Sequence, residues 1–195
     1  MKKMMILLLC LVLACGAALA EAGSFSFRNG VVWGMTQEEV VAAEGSQEYD
    51  TFEVSAKMAG IEYDDVVTSG VEAELNYLFI NGALMVAGYE YDDEDIDILT
   101  LSQTLDAKYG AHEQADVDRL VALMKAYRPD NADYAELFSD EDSASITWTL
   151  PDGTYILLTD AYGDIQLAYF DEAAILASAN ASVSEPAPAL DPSDF

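Results

Sequence analysis

Apolar and polar residues alternate with a period of two along most of residues 51–92, and this pattern predicts a β-meander. The clearest run places apolar side chains on one parity and polar ones on the other, namely Val71, Ala73, Leu75, Tyr77 and Phe79 against Glu72, Glu74 and Asn76. In the run before it, one parity carries Ile61, Tyr63 and Val67. Asn81-Gly82 ends the clearest run and predicts a tight hairpin, because both turn residues must adopt positive φ.

The same alternation returns near the end of the chain. One parity is apolar and the other is polar, with Ile146, Trp148 and Leu150 against Ser145, Thr147 and Thr149. Pro151-Asp152-Gly153 and Tyr162-Gly163-Asp164 have the composition of turns. Two further strands are therefore predicted over 154–159 and 165–170.

Helical signals mark four segments. The first opens with Thr36-Gln37-Glu38-Glu39, a capping box in which the threonine and glutamate side chains bind each other's backbone N–H groups, and Gly45 is placed to end it. The third is predicted over 116–127, with Pro129 as the stop, and the fourth over 171–179. The second carries an apolar stripe made by Ile98, Leu101, Leu105 and Tyr109.

The order helix, strands, two helices, strands, helix predicts an α+β fold. The tight hairpins predict antiparallel β-meanders, and we expect the helices to pack on one face of the sheet. The globular domain spans 21–179, and its element order fits two tandem helix-plus-meander units with halves 24–92 and 93–179. The segment 180–195, rich in Pro, Ser and Ala, is predicted to be a disordered tail.

Residues 1–20 have the composition of an export signal. Lys2 and Lys3 form a positive start, Met4–Leu13 is apolar, and Ala18-Leu19-Ala20 matches the small-x-small site of a signal peptidase. An apolar run of about ten residues is shorter than the roughly 20 that span a bilayer. We therefore expect a cleaved signal peptide and a secreted or extracytoplasmic protein. A lipoprotein anchored at Cys15 is the alternative.

Cysteine content and charge narrow the classes of protein further. Cys10 and Cys15 are the only cysteines and lie in the predicted signal, so the fold must rest on its apolar core without a disulfide scaffold. The formal net charge is −28 at pH 7, which repels nucleic acid and anionic membrane surfaces. This charge favours a soluble monomer. No later run is long and apolar enough for a membrane helix, so we expect no transmembrane segment after signal removal. Attraction of cations or of a basic partner is the other consequence.

No residue pattern indicates a catalytic, cofactor-binding or metal site. His112 is the only histidine and is assigned to the surface, and the usual nucleophile motifs and zinc ligand sets are missing from the sequence. Asp93-x-Asp95-x-Asp97 begins like an EF-hand loop, but Ile98 and Thr104 stand where that loop needs Gly and Glu. The acidic residues are therefore assigned to a helix N-terminus, where they complement the helix dipole.

Aromatic residues are frequent on the predicted strands, namely Tyr63, Tyr77, Tyr89, Tyr91, Trp148, Tyr155 and Tyr169. Half-buried strands favour such residues for packing, and this is the preferred interpretation. The alternative is that these residues are exposed on a concave sheet and bind peptides, sugars or proteins.

The segment Gly34-Met35-Thr36-Gln37-Glu38-Glu39-Val40, followed by Glu44-Gly45 and hairpins, resembles the helix opening of the BamE (SmpA/OmlA) envelope proteins and of β-lactamase-inhibitor-protein-like domains. It is also similar to exported proteins of anaerobic Gram-positive bacteria with a Trp-Gly-Met-Thr segment. The match covers about 15 residues plus the element order. The resemblance implies a tandem helix-plus-meander fold and a protein-binding or scaffold module without catalysis.

Together these features predict an exported, non-enzymatic module that binds a protein or cell-envelope partner through a sheet face. A carboxylate-dependent hydrolase is one alternative, because acidic residues are abundant. An acidic protein that binds cations such as Ca²⁺ is the other.

Overall fold

The computed structural model describes residues 25–68, 70–92, 96–127, 145–161 and 164–183. The predicted export signal and Asp93 and Asp95 of the calcium-like motif lie outside these ranges.

Antiparallel strands build one continuous sheet in the described part of the chain. The strands are β1 (Asp50–Ser55), β2 (Met58–Thr68), β3 (Val71–Ile80), β4 (Ala83–Asp92), β5 (Glu113–Gln114), β6 (Ser145–Thr149), β7 (Thr154–Ala161) and β8 (Asp164–Asp171). Their order is β1-β2-β3-β4-β8-β7-β6-β5, so each half of the chain forms a meander and the two meanders join where β4 pairs with β8. The α+β class and the antiparallel meanders are confirmed. The two-residue strand β5 was not predicted.

Four α-helices flank the sheet among the described residues: α1 (Gln37–Glu44), α2 (Ile98–Tyr109), α3 (Val117–Tyr127) and α4 (Glu172–Val183). The capping box of α1 is formed, since Glu39 N–H donates to Thr36 Oγ1 at 3.3 Å and Thr36 N–H donates to Glu39 Oε2 at 2.8 Å. Helix α4 continues beyond residue 179, where the sequence pattern placed its end, so the prediction that 180–183 belong to a disordered tail is wrong. The rest of that predicted tail, 184–195, lies outside the described residues.

The helices lie on both faces of the sheet, so the expectation that they pack on one face is wrong. The front face carries Leu75 and Leu167 and contacts α1 and α2. The back face carries Leu78 and Phe170 and contacts α3 and α4 through a cluster that includes Leu120, Leu123, Met124 and Ile175. The reason is visible in the strands: Leu78-Phe79-Ile80 and Tyr155-Ile156-Leu157-Leu158 are apolar on both parities, which is typical of strands buried on both faces.

An N-terminal strap, residues 25–35, crosses the front face. The Phe25 ring stacks on Trp33 and on Tyr169, with ring centroids 5.5 and 5.2 Å apart. The Trp33 Nε1–H donates to Thr154 Oγ1 at 2.9 Å. The strap thereby fastens the start of the described chain to the second meander.

A bulge in β2 changes the parity that the sequence pattern suggests. Tyr63 pairs with Leu75, but the next pair is Val66 with Ala73, because Asp64 and Asp65 occupy one extra position and Asp65 adopts φ 55°. Val66 is therefore buried, and Val67, assigned to the same face as Tyr63, is 67% exposed.

Candidate functional site

The back face of the sheet is divided into an apolar half and a polar half. Helices α3 and α4 cover the apolar half. On the polar half, neighbouring strands present a group that we call the acidic face, made by Glu62, Glu74, Asn76, Glu90 and Gln166. Open depressions of about 340 and 430 Å³ lie over it, and strand residues alone line them.

Strand register brings these side chains together. Glu62 pairs with Asn76, Glu74 pairs with Glu90, and Glu90 pairs with Gln166, so the acidic face runs across β2, β3, β4 and β8. Like charges that lie directly opposite each other, as Glu74 and Glu90 do, destabilise a sheet unless something compensates for them. No Lys or Arg lines the depressions described over this surface.

Three carboxylates form the densest part of this surface. Oxygen atoms of Glu62, Asp64 and Glu74 all lie within 4.8 Å of one another. Asp50 pairs with Glu62 from the other side, across the β1–β2 ladder. Such oxygens are ligands that hard cations accept, but an exposed acidic group is common without an ion.

Two carboxyl groups of the acidic face have raised pKa values. Burial raises the pKa of Glu62 to about 7, helped by a hydrogen bond with Glu74 and by the charges of Glu74, Asp64 and Asp50. Burial, together with the charges of Glu74 and Asp164, also raises the pKa of Glu90, against the opposing hydrogen bond that Gln166 Nε2 donates at 3.2 Å. Adjacent carboxylates cannot both ionise freely, so the neighbouring charges add to the effect of burial on the Glu62 pKa.

An apolar border separates the acidic face from the helices. It contains Phe52, Leu78, Val86 and Ala168, which line the same depression as the carboxylates. Phe52 lies directly over Gly60, where an added Cβ would come within 2.2 Å of its ring. The open surface is therefore acidic at one side and aliphatic or aromatic at the other.

The chemically notable residues of the sequence occupy structural positions. His112 lies beside Trp148 with ring centroids 5.8 Å apart, and its Nδ1 is 3.0 Å from Asp106 Oδ1. Its side chain is 39% exposed, in agreement with the predicted surface position. Asp97 caps α2 by accepting a hydrogen bond from Thr100 N–H at 2.8 Å, which accounts for an acidic residue there.

Six of the seven strand aromatics form core, and the seventh, Tyr89, is half-buried and stacks on Phe27 with ring centroids 5.3 Å apart. Tyr63, Tyr77 and Tyr155 are fully buried, and Tyr91, Trp148 and Tyr169 are at most 4% exposed. The preferred interpretation, packing, is thus the one that the burial supports. Burial also raises the pKa of the Tyr63 hydroxyl to about 12, with a contribution from the nearby Glu44 charge.

A buried carboxylate, Glu44, was not foreseen from the sequence. Its side chain is fully buried and accepts hydrogen bonds from Tyr77 OH and from Asn29 Nδ2, the latter at 2.8 Å. Arg28 Nε lies 3.2 Å from its Oε2. Because these partners belong to the strap and to β3, Glu44 joins both of them to α1. A glutamate in the last turn of a short helix gives no sequence signal for that role.

Comparisons with models of protein families, with curated proteins and with solved structures find no match for this chain. The resemblance to BamE-like and β-lactamase-inhibitor-protein-like domains stays a prediction. No helix within the described ranges is both long and apolar enough to cross a membrane.

Proposed function

We propose that this chain is an exported, non-catalytic binding module whose acidic face binds a lysine- or arginine-rich segment of a partner protein. The observation that carries the proposal is the half-covered back face. Its open half combines Glu62, Glu74 and Glu90 with an apolar border, and no cationic side chain lines it in the described structure.

Charge complementarity identifies the class of partner. Like-charged residues in cross-strand register repel one another, and cations placed between them remove that cost. The aliphatic stems of Lys and Arg pack on apolar surface while their charged ends reach carboxylates, which suits the border at Phe52 and Val86. The chain's net charge of −28 would also steer a basic partner toward it over long distances.

One observation favours a hydrolase that uses carboxylates, namely the pKa of about 7 at Glu62, which suits a general acid. The geometry argues against it. The surrounding depressions are open and strand-lined, without the enclosure that excludes water from a reaction.

The proposal is tested with an octa-arginine peptide as the cationic probe. Isothermal titration calorimetry at low ionic strength and pH 8 is expected to detect binding that weakens with added salt. The double variant Glu74→Gln with Glu90→Gln should bind about tenfold more weakly, roughly 0.7 kcal/mol for each lost ion pair.

The matched control is Glu38→Gln with Glu113→Gln, which removes the same charge from exposed positions on α1 and on β5, away from the acidic face. It should keep most of the affinity. Equal weakening in both double variants would mean that net charge alone attracts the peptide, and the proposal would fail. Calcium is the competing occupant: a higher melting temperature in millimolar Ca²⁺, lost in Glu74→Gln, would favour the cation-binding alternative.

A further inference from the structure

The sheet ends in an open edge at β1. β2 pairs with one side of β1, and no other strand of the described chain pairs with the opposite side. At the other end of the sheet order, β5 has two residues, whereas β1 has six. The backbone N–H and C=O groups on the outer side of an edge strand can pair with a further strand. β1 therefore has the length to accept one.

The residues of β1 suit pairing with a further strand. Thr51, Phe52 and Val54 are types that favour extended backbone. The ladder with β2 is regular from Asp50 to Glu53 and shifts only at Val54. Val54 is 39% exposed, so apolar surface as well as backbone remains uncovered along this edge in the described structure.

Acidic side chains stand on both faces of the sheet beside this edge. Asp50 and Glu53 lie three positions apart in the regular part of β1, so they point to opposite faces. Asp50 lines a depression of about 710 Å³ together with Glu62, and Glu53 lines one of about 450 Å³ together with Glu38 of α1. β1 itself contains no Lys or Arg, and Lys57 of the following turn lines the second depression.

We infer, taking the proposed function as given, that the basic partner segment binds in extended form and pairs with the open edge of β1 as a further strand of the sheet. Backbone hydrogen bonds to β1 hold the segment, and its Lys or Arg side chains reach Asp50 on one face and Glu53 on the other. Because Asp50 pairs with Glu62, a segment in this place also adjoins the acidic face.

Charge decides against a second copy of this chain as the occupant. Each copy carries a formal net charge of −28, and a copy that pairs through β1 brings its own Asp50 and Glu53 to the same edge. Like charges on edge strands oppose such pairing. The same carboxylates attract a strand that carries cations.

A pair of peptides tests the backbone pairing. The probe is Arg-Val-Arg-Val-Arg-Val with blocked ends, and the control peptide has the same sequence with every backbone amide N-methylated. Both peptides carry the same charge, but the methylated one has no backbone N–H to donate. Calorimetric titration of the protein at pH 8 and low ionic strength is expected to show about tenfold weaker binding of the methylated peptide.

Hydrogen–deuterium exchange locates the added strand. Amides along a strand point alternately to its two sides, so roughly half of the β1 amides face the open edge. Saturation with the probe should slow exchange in β1 and leave β5, at the other end of the sheet order, unchanged. Binding through side chains of the acidic face alone leaves the outer amides of β1 in contact with water and does not slow their exchange.

A double variant tests the charges beside the edge. Asp50→Asn with Glu53→Gln should weaken binding of the probe by about tenfold. The matched control, Glu113→Gln with Asp118→Asn, removes the same charge from β5 and from the first turn of α3 and should keep most of the affinity. Equal weakening in both double variants contradicts the inference.

The outcomes separate this inference from the proposed function. Equal binding of the two peptides, or unchanged exchange in β1, overturns strand addition. The proposed function then stands if Glu74→Gln with Glu90→Gln still weakens the binding of octa-arginine. A free protein that sediments as a dimer with slow exchange in β1 assigns the edge to a second copy and also overturns the inference. Absence of octa-arginine binding overturns the proposed function, and strand addition with it.

Discussion

Trp148 and Trp33 differ in how completely they are buried. Trp148 is 3% exposed, and its Nε1–H donates to the carbonyl oxygen of Gly110 at 2.9 Å, whereas Trp33 is half-buried. Trp148→Ala is expected to lower the free energy of unfolding by about 3–5 kcal/mol through the cavity it leaves. Trp33→Ala should cost less. Urea denaturation of both variants measures the two losses, and equal losses would contradict the burial argument.

The raised pKa of Glu62 also affects stability. Because its folded-state pKa of about 7 exceeds the unfolded value of 4.5, the folded protein binds more protons between these values, and stability falls as pH rises through that window. Glu62→Gln removes this dependence. Its melting temperature should exceed that of the parent at pH 8, with a smaller gain at pH 5, where Glu62 is already protonated in the folded state. Glu113→Gln should show no such difference between the two pH values.

Residue-level prediction fails where a local irregularity shifts the register. The parity of β2 places Tyr63 correctly, but the bulge at 64–65 exposes Val67 and buries Val66. Asp65 reaches positive φ, and nothing in Asp64-Asp65 distinguishes a bulge from two exposed strand residues. Capping boxes and Asn-Gly turns are more reliable because their chemistry is contained in adjacent residues.

At the scale of elements, α1 depends on its cap. Thr36→Ala removes the side-chain acceptor of the Glu39 N–H and is expected to lower the free energy of unfolding by about 1 kcal/mol. Thr36→Ser keeps an acceptor oxygen and should restore most of the loss. Chemical denaturation monitored by circular dichroism measures both. A loss of the same size in the two variants would show that the methyl group and not the hydroxyl stabilises the helix start.

Helices α3 and α4 are held to each other by Arg119. Its Nε and Nη2 donate to the two carboxylate oxygens of Glu172 at 2.7 and 2.6 Å, and its guanidinium lies 4.0 Å from the ring centroid of Tyr155. The sequence predicted both helices, with nearly correct bounds for α3 and with an end for α4 that is too early. It did not predict on which face of the sheet they pack, because the apolar stripe of a helix can pack on any apolar surface. Only the strands that are apolar on both parities indicate that the sheet has two apolar faces.

At the scale of the whole molecule, the two meanders depend on each other. β4 and β8 pair from Val86 with Phe170 to Asp92 with Asp164. We expect fragments 25–92 and 96–183 to lack cooperative unfolding when produced separately, because each would expose an unpaired central strand and an uncovered apolar face. Mixing them should restore a cooperative transition in thermal circular dichroism. A cooperative transition in either fragment alone would mean that the meanders are independent units.

The fold class could be predicted from the order of periodic segments, but the acidic face could not. Its glutamates come from three strands, and the turns and the strand register align them. In the sequence, each glutamate alone is an ordinary polar position of an alternating strand. Which half of the back face stays open depends on where α3 and α4 dock. The docking position of these two helices depends on contacts with residues from the whole chain, so no single segment of the sequence predicts it.

The central pairing also governs how the polypeptide acquires its shape. If the predicted signal delivers the chain across a membrane amino terminus first, β4 emerges long before β8, its neighbour and the last strand to appear. Contacts between segments so distant along the chain close slowly, and until then the hydrogen-bonding edge of β4 is open to intermolecular association. Under that condition the strong negative charge would have a kinetic benefit, because it would keep half-translocated molecules apart until their final strand emerges.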